Sequence, residues 1–378
     1  GDTCIVSDID FYLGFNNATL SFDIDDTIFW NFTFFPYSQI VNNNIEYFEN
    51  IFNKIKNNSN IKLIFSNLWE GEGLLPLIES LITLKHKYNL ENHRIIIITI
   101  NAYNFQNYSK EIKIISKPYL AGFLADEFRE LRNKPFEYDG NEIEICNTFD
   151  YLNTPKDKFF LTYNKNVTKH HRIKLILWLI KNKLLDSTIF SLLIKDLDEN
   201  LDFLISNKDE LNDLHEYYEE FLKLGYNILD WDLITNKRTQ TDLKYTTKLH
   251  YTSTIFNIVS ETSFSNKSLN LTEKSFKPLA NCHPFLIIGD PYVHSYLKDL
   301  GFYLYDDLIN YTFDSILDDD ERLDMVFKEI KRIYKLGDTY IMNWYKKNEP
   351  KIKKNQEIFF QYSCTQIFLD IFNELKKL

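Results

Sequence analysis

The chain has 378 residues and a net charge of −11. A chain of this length ordinarily divides into two cores, and the acidic balance counts against a surface built to neutralise many nucleic-acid phosphates. The four cysteines, Cys4, Cys146, Cys282 and Cys364, contain no C-x-x-C pair. That spacing supports neither a structural zinc site nor a disulfide framework, and it points to a reducing compartment such as the cytoplasm.

In chain order, the first polar feature is Phe22-Asp23-Ile24-Asp25-Asp26-Thr27-Ile28, read as a polar strand exit. Residues 63–65 form a short apolar strand. It runs into the polar turn Ser66-Asn67 and then Trp69-Glu70-Gly71-Glu72-Gly73. A helix is predicted over 74–87 and a β-branched strand over 95–100, so this stretch reads as a βαβ unit with parallel pairing. A boundary falls at Asn153-Thr154-Pro155, after which the alternation restarts. Strands are predicted at 159–163, 189–194, 255–260 and 285–288. Residues 170–183 carry apolar side chains at helical spacing, Ile173, Ile176, Leu177 and Ile180. Two helices are expected within 196–224, another over 272–281 with Thr272 as N-cap, and a mostly helical tail over 319–378. Two αβ-alternating halves predict two Rossmann-like domains, 1–154 and 155–378, facing each other across a cleft. Ligands of such sheets sit beyond the carboxyl ends of the strands.

No apolar run has the length of a membrane span; the best, 95–100, is strand-sized. The sequence begins Gly-Asp-Thr-Cys without a Met, which implies trimming or processing, and no signal-peptide pattern follows. The N-x-S/T triplets at Asn17, Asn31, Asn57 and Asn270 read as products of an Asn-rich composition.

Four pieces of the second half form an ordered series. They are Phe159-Phe160-Leu161-Thr162-Tyr163-Asn164 with Lys169-His170-His171-Arg172; Ile258-Val259-Ser260-Glu261-Thr262; Leu271-Thr272-Glu273-Lys274-Ser275-Phe276-Lys277-Pro278-Leu279 running into His283-Pro284-Phe285-Leu286-Ile287-Ile288-Gly289; and Leu297-Lys298-Asp299-Leu300-Gly301-Phe302, then Tyr311-Thr312-Phe313-Asp314 and Asp320-Glu321-Arg322. The series resembles virus- and phage-type glycosyltransferases. It is more distantly similar to the α-1,3-fucosyltransferases, whose donor site holds a Thr-Glu-Lys motif followed by a helix and an apolar strand ending in Gly. The resemblance covers about 159–330. It implies a GT-B-like α/β fold, with the C-terminal helices packed back on the N-terminal domain. It also implies an inverting, metal-independent transfer from a nucleotide-sugar co-substrate (GDP-fucose in the analogy) to a hydroxyl acceptor. The acidic balance favours a glycan acceptor over DNA, and for a virus-type enzyme the compartment would be the host cytoplasm. From the fucosyltransferases, Glu273 and Lys274 take the role of donor contacts.

The residue types agree with that chemistry. A leaving diphosphate gains negative charge, which cations and helix N-terminal amides stabilise. Arg172 and Lys274 each fall in the first turn of a predicted helix, and Lys277 follows one turn after Lys274. Glu273 suits ribose hydroxyls. Asn164, His171, Ser260, Glu261 and Thr272 lie at the same strand exits and complete the predicted donor site. Singly, each has an ordinary structural explanation, such as a solvated Glu-Lys pair at a helix start or a capping histidine; the ordered series favours the donor site. The base that takes the acceptor's proton is assigned to Glu70 or Glu72, beside glycines that allow close approach, with Asp23, Asp25 and Asp10 as weaker alternatives.

Two competing readings remain. Asp23-Ile24-Asp25-Asp26-Thr27 matches the D-x-D-x-T signature of haloacid-dehalogenase-type phosphatases, with Asp23 as nucleophile and Asp25 as acid/base. Against it, Gly289-Asp290 is followed by His294 where an acid should help hold Mg²⁺. A non-catalytic nucleotide- or glycan-binding module is the other.

Overall fold

The computed structural model describes residues 5–6, 20–24, 27–33, 45–67, 74–99, 108–138, 141–166, 169–193, 214, 216–224, 247–265, 269 and 271–378. The architecture is mixed α/β, with parallel strands alternating with helices. Two compact units emerge. The first comprises Gly1–Gly122, Asn266–Asn270 and Ser363–Leu378; the second comprises Phe123–Ser265 and Leu271–Tyr362. Among the described residues no helix is long and apolar enough to cross a membrane.

The first unit is built on a six-stranded sheet in sequence order: β1 (Ile5–Val6), β2 (Leu20–Ile24), β3 (Thr27–Thr33), β4 (Ile61–Asn67), β5 (Ile95–Thr99) and β6 (Lys113–Ser116). β1 to β3 pair antiparallel, and β3 to β6 pair parallel. The predicted βαβ unit is β4, helix α2 (Leu74–Tyr88) and β5, preceded by α1 (Ile45–Lys56). Leu63 and Phe65 of β4 and Ile95 and Ile97 of β5 pack with Phe52, Ile55, Ile78 and Leu81 of the helices. Ile64 and Ile96 point to the other face and are equally buried. Burial on both faces is why these strands read as unbroken apolar runs. Asp23 pairs with Ile28 across the β2–β3 hairpin; Asp10, Asp25 and Asp26 lie outside the described residues.

The final helix, Cys364–Leu375, belongs to this first unit. Lys117 pairs with Glu374 at 2.6 Å, and the Tyr119 ring meets Phe368 edge-on at 5.2 Å. Gly122 lies where a Cβ would stand 2.6 Å from Ile367 Cδ1 and 2.9 Å from the Ser363 carbonyl carbon.

The second unit carries a short antiparallel pair, β7 (Phe136–Tyr138) and β8 (Asn141–Ile143), and a four-stranded, wholly parallel sheet of β9 (Lys158–Asn166), β10 (Thr188–Leu193), β11 (Thr254–Ser260) and β12 (Phe285–Ile288), in the order β10-β9-β11-β12. Every residue of β11 is buried. The helix His170–Lys181 is buried from His171 to Ile180. Of the helices expected within 196–224, the described part is Tyr218–Lys223. The tail forms Asp319–Leu336, Asp338–Phe359 and the final helix.

The boundary read at 154/155 lies inside this second unit, because residues 146–151 pack with its long helix Asp338–Phe359. Tyr151 stacks on Tyr345 at 4.0 Å. Gln356 Nε2 donates to the Cys146 carbonyl at 2.8 Å, and Cys146 N donates to Asn281 Oδ1 at 2.9 Å. The division falls instead at 122/123, within the helix Tyr119–Asn133.

Gly122 decides between two effects of opposite sign. Alanine in a helix interior gains about 1 kcal/mol over glycine, but a Cβ under 3 Å from backbone forces overpacking, which costs about 1–3 kcal/mol. Gly122→Ala is expected to lower stability in urea denaturation. A rise would show that the final helix does not press on this position.

Candidate functional site

β9 leads through the helix His170–Lys181 to β10 on one side, and the chain then returns to β11 on the other. The strand order therefore reverses between β9 and β11, and in open parallel sheets ligands bind outside the carboxyl ends at such a reversal. Asn164 is buried near the carboxyl end of β9. The pairing of β9 with β11 runs to Leu161 and Asn257, and Asn164 and Ser260 lie three residues further along each strand. Beyond them stand two helix starts. His170–Lys181 begins after Lys169 with no side-chain cap; Glu273–Ala280 begins after Thr272, whose hydroxyl accepts from Lys274 N at 3.4 Å.

Glu261 joins these elements and is fully buried. Its N–H donates to the Ile288 carbonyl of β12 at 2.9 Å. Its carbonyl accepts from His171 Nε2 at 2.8 Å and Arg172 Nη2 at 3.0 Å. Its carboxylate accepts from Thr272 N at 2.9 Å, Thr272 Oγ1 at 2.6 Å, Thr262 N at 3.2 Å and Ser275 Oγ. Gly289 lies against it: a Cβ there would be in ordinary contact with Glu261 Cβ at 3.4 Å and Cγ at 3.6 Å.

The loop after Glu261 is held a second time at Phe264. Its ring stacks on His171 at 4.9 Å, and the Arg322 guanidinium lies 4.3 Å from its centroid. Arg322 also donates to the Phe264 carbonyl at 2.5 Å, the Ile316 carbonyl at 2.8 Å and the Gly289 carbonyl at 3.3 Å. The sequence series contained Arg322 without a role and did not single out Phe264. An aromatic next to a polar loop was the available signal, but its two partners come from helices 93 and 58 residues away in sequence.

The predicted residues fall into three groups, apart from Lys277, which lies further along the helix Glu273–Ala280 and acts electrostatically on Glu273. His171, Arg172, Ser260, Glu261, Thr272, Glu273 and Lys274 come together. Arg172 is buried, with its guanidinium on the Ser260 and Glu261 carbonyls. Lys274 keeps a fifth of its side chain exposed; Nζ pairs with Glu273 and lies 3.5 Å from Thr262 Oγ1 and 3.4 Å from Thr272 Oγ1. Burial raises the Glu273 carboxyl, but Lys274 and Lys277 outweigh it and bring it down to about 2, so it is ionised at neutral pH. Asn164 lies on the sheet below, bonded to Thr162 Oγ1 at 3.1 Å and, through its N–H, to Ser191 Oγ at 3.1 Å. Glu70 and Glu72 lie outside the described residues.

Buried polar atoms are ordinarily hydrogen-bonded. Asn164 Oδ1, Ser260 Oγ and Ser263 Oγ are buried without a partner, and all three lie at or just beyond these strand ends.

The exit of β12 is closed by a structural pair. Asp314 accepts from His294 N at 3.0 Å, His294 Nδ1 at 2.8 Å, Ser295 N at 2.9 Å and Ser295 Oγ at 2.8 Å. His294 Nε2 accepts from Ile287 N at 3.1 Å, so both ring nitrogens are engaged. Burial raises the Asp314 carboxyl, but the His294 contacts outweigh it and keep it below its ordinary value.

No protein-family model matches the chain, and no curated protein matches it.

Burial, reinforced by Arg172, lowers His171 from 6.5 to about 3, and burial lowers His283 to about 3. Both are neutral when folded. Below pH 6.5 the unfolded chain binds protons that the folded chain refuses until about 3. Each histidine therefore withdraws stability as pH falls through that window, by about 1.4 kcal/mol per unit. Urea midpoints are expected to fall between pH 7 and pH 5, less steeply in His171→Asn. Equal slopes in the two proteins would show that His171 is not held neutral.

Proposed function

We propose that the chain is a glycosyltransferase of GT-B type that binds a nucleotide-sugar donor at the carboxyl ends of β9 and β11. The sugar passes with inversion to a hydroxyl of a glycan acceptor. One observation carries the reading: a helix start without a side-chain cap, the Lys274 cation and three unsatisfied buried polar atoms lie at or just beyond the carboxyl ends of strands between which the order reverses. That is a site for a phosphorylated ligand. The ordered sequence series, similar to the fucosyltransferase donor motif, supplies the transferase part of the reading.

In this mechanism the glycosidic bond to the diphosphate breaks as the acceptor oxygen attacks, and charge grows on the diphosphate. Lys274 and the amides of the uncapped helix start stabilise it. Glu273, ionised at neutral pH, accepts from ribose hydroxyls, and Lys277 balances its charge. Arg172 acts through the loop it holds. As the base that takes the acceptor's proton the sequence offers Glu70 or Glu72. The phosphatase alternative gains nothing comparable: Asp23 stands inside an antiparallel hairpin, and His294 is fully engaged by Asp314 and Ile287.

Thermal shift with UDP and GDP is the first test, since a ligand of the folded state raises its stability. Lys274→Ala removes a charge-assisted contact worth about 1.5–3 kcal/mol, so nucleoside diphosphate affinity should fall ten-fold or more, with a smaller loss of melting temperature than Arg172→Ala. Arg172→Ala should lose affinity and melting temperature together, because its guanidinium holds buried carbonyls. Transfer should survive EDTA, and one of Glu70→Gln and Glu72→Gln should abolish it with nucleotide binding intact. Normal nucleotide binding by the Lys274 variant would sink the donor-site assignment.

A further inference from the structure

We infer that Glu261 is a positioning residue of the diphosphate subsite, acting on the donor only through Lys274; this rests on the donor-site reading above. The carboxylate has no capacity left for a ligand. Both oxygens are occupied, Oε1 by Thr272 N and Ser275 Oγ, and Oε2 by Thr262 N and Thr272 Oγ1. What they grip is the first turn of the helix that carries Lys274, and the two hydroxyls within reach of Lys274 Nζ belong to Thr262 and Thr272. On its backbone side the same residue is tied to β12 and to the start of the other helix. Glu261 thus sets the spacing between the two helix starts, and with it the place of the ammonium.

Glutamine at 261 keeps the volume and spoils the grip. Each carboxylate oxygen receives one backbone N–H, from Thr272 or from Thr262. A hydroxyl can turn to accept; a backbone N–H cannot. Whichever way the amide sits, one N–H faces an NH₂ group, and the helix start shifts.

The test is a double-mutant cycle on the whole chain, read as the dissociation constants of GDP and UDP by calorimetry. Wild type, Glu261→Gln, Lys274→Ala and the double variant are compared. Glu261→Gln is expected to weaken binding ten-fold or more in the wild-type background and less than two-fold in the Lys274→Ala background. A general loosening of the fold would weaken binding by the same factor in both backgrounds, and that result would overturn the inference, as would unchanged binding by Glu261→Gln. Ser275→Ala removes a single donor from the carboxylate and serves if Glu261→Gln does not fold; it should show about a three-fold loss with the same dependence on Lys274, and equal losses in both backgrounds count against the inference. If wild type binds neither nucleotide, the donor-site reading fails and takes this inference with it. If wild type binds and Lys274→Ala weakens it, only the cycle decides on Glu261.

Discussion

A carboxylate withdrawn from water survives only where donors replace the lost hydration, and Glu261 has four of them. That requirement organises the second unit around one residue. Two donors are backbone or side-chain groups of Thr272, the cap of the helix Glu273–Ala280, so the carboxylate caps the cap. Removing it would strand these groups in a dry interior, and an unsatisfied buried donor costs more than its bond contributes. Glu261 also receives two side chains on its carbonyl, from His171 and Arg172. One position therefore ties a central strand, an edge strand and two helix starts.

The ties thin out from that point outward. Phe264 lies between an imidazole and a guanidinium, and Arg322 adds hydrogen bonds to three carbonyls. Beyond them, Glu273 and Lys274 are only partly covered and pair with each other. A group that is fixed in place but still partly in water can exchange its partner for a ligand at low cost. The arrangement puts the immobile charges underneath and the exchangeable ones at the surface.

Much of this was legible in the sequence, for physical reasons. Doubly covered strands such as Ile95–Thr99 and Thr254–Ser260 must be apolar throughout. The Thr272 cap declares itself by residue type and place, and so does the apolar strand that ends before Gly289. Arg172 was legible as a cation near a helix start but not as a clamp on carbonyls, because the distinction depends on an element 88 residues further on. The unit boundary was illegible for the same reason. Tyr151 looks like a linker residue beside Asn153-Thr154-Pro155 until Tyr345 stacks on it. The antiparallel hairpin Leu20–Ile24 and Thr27–Thr33 was missed as a hairpin because its polar centre reads equally well as a strand exit.

The first unit is discontinuous: the helix Cys364–Leu375 that packs at Gly122 is encoded after the whole second unit. A ribosome adding about 5–20 residues per second needs roughly ten to fifty seconds to pass from one to the other. Throughout that interval the surface around Tyr119 and Gly122 has emerged and its covering helix has not been made. The second unit waits almost as long, because the helix Asp338–Phe359, whose Tyr345 stacks on Tyr151, is made only just before it. Both cores are therefore closed late, by helices encoded next to one another.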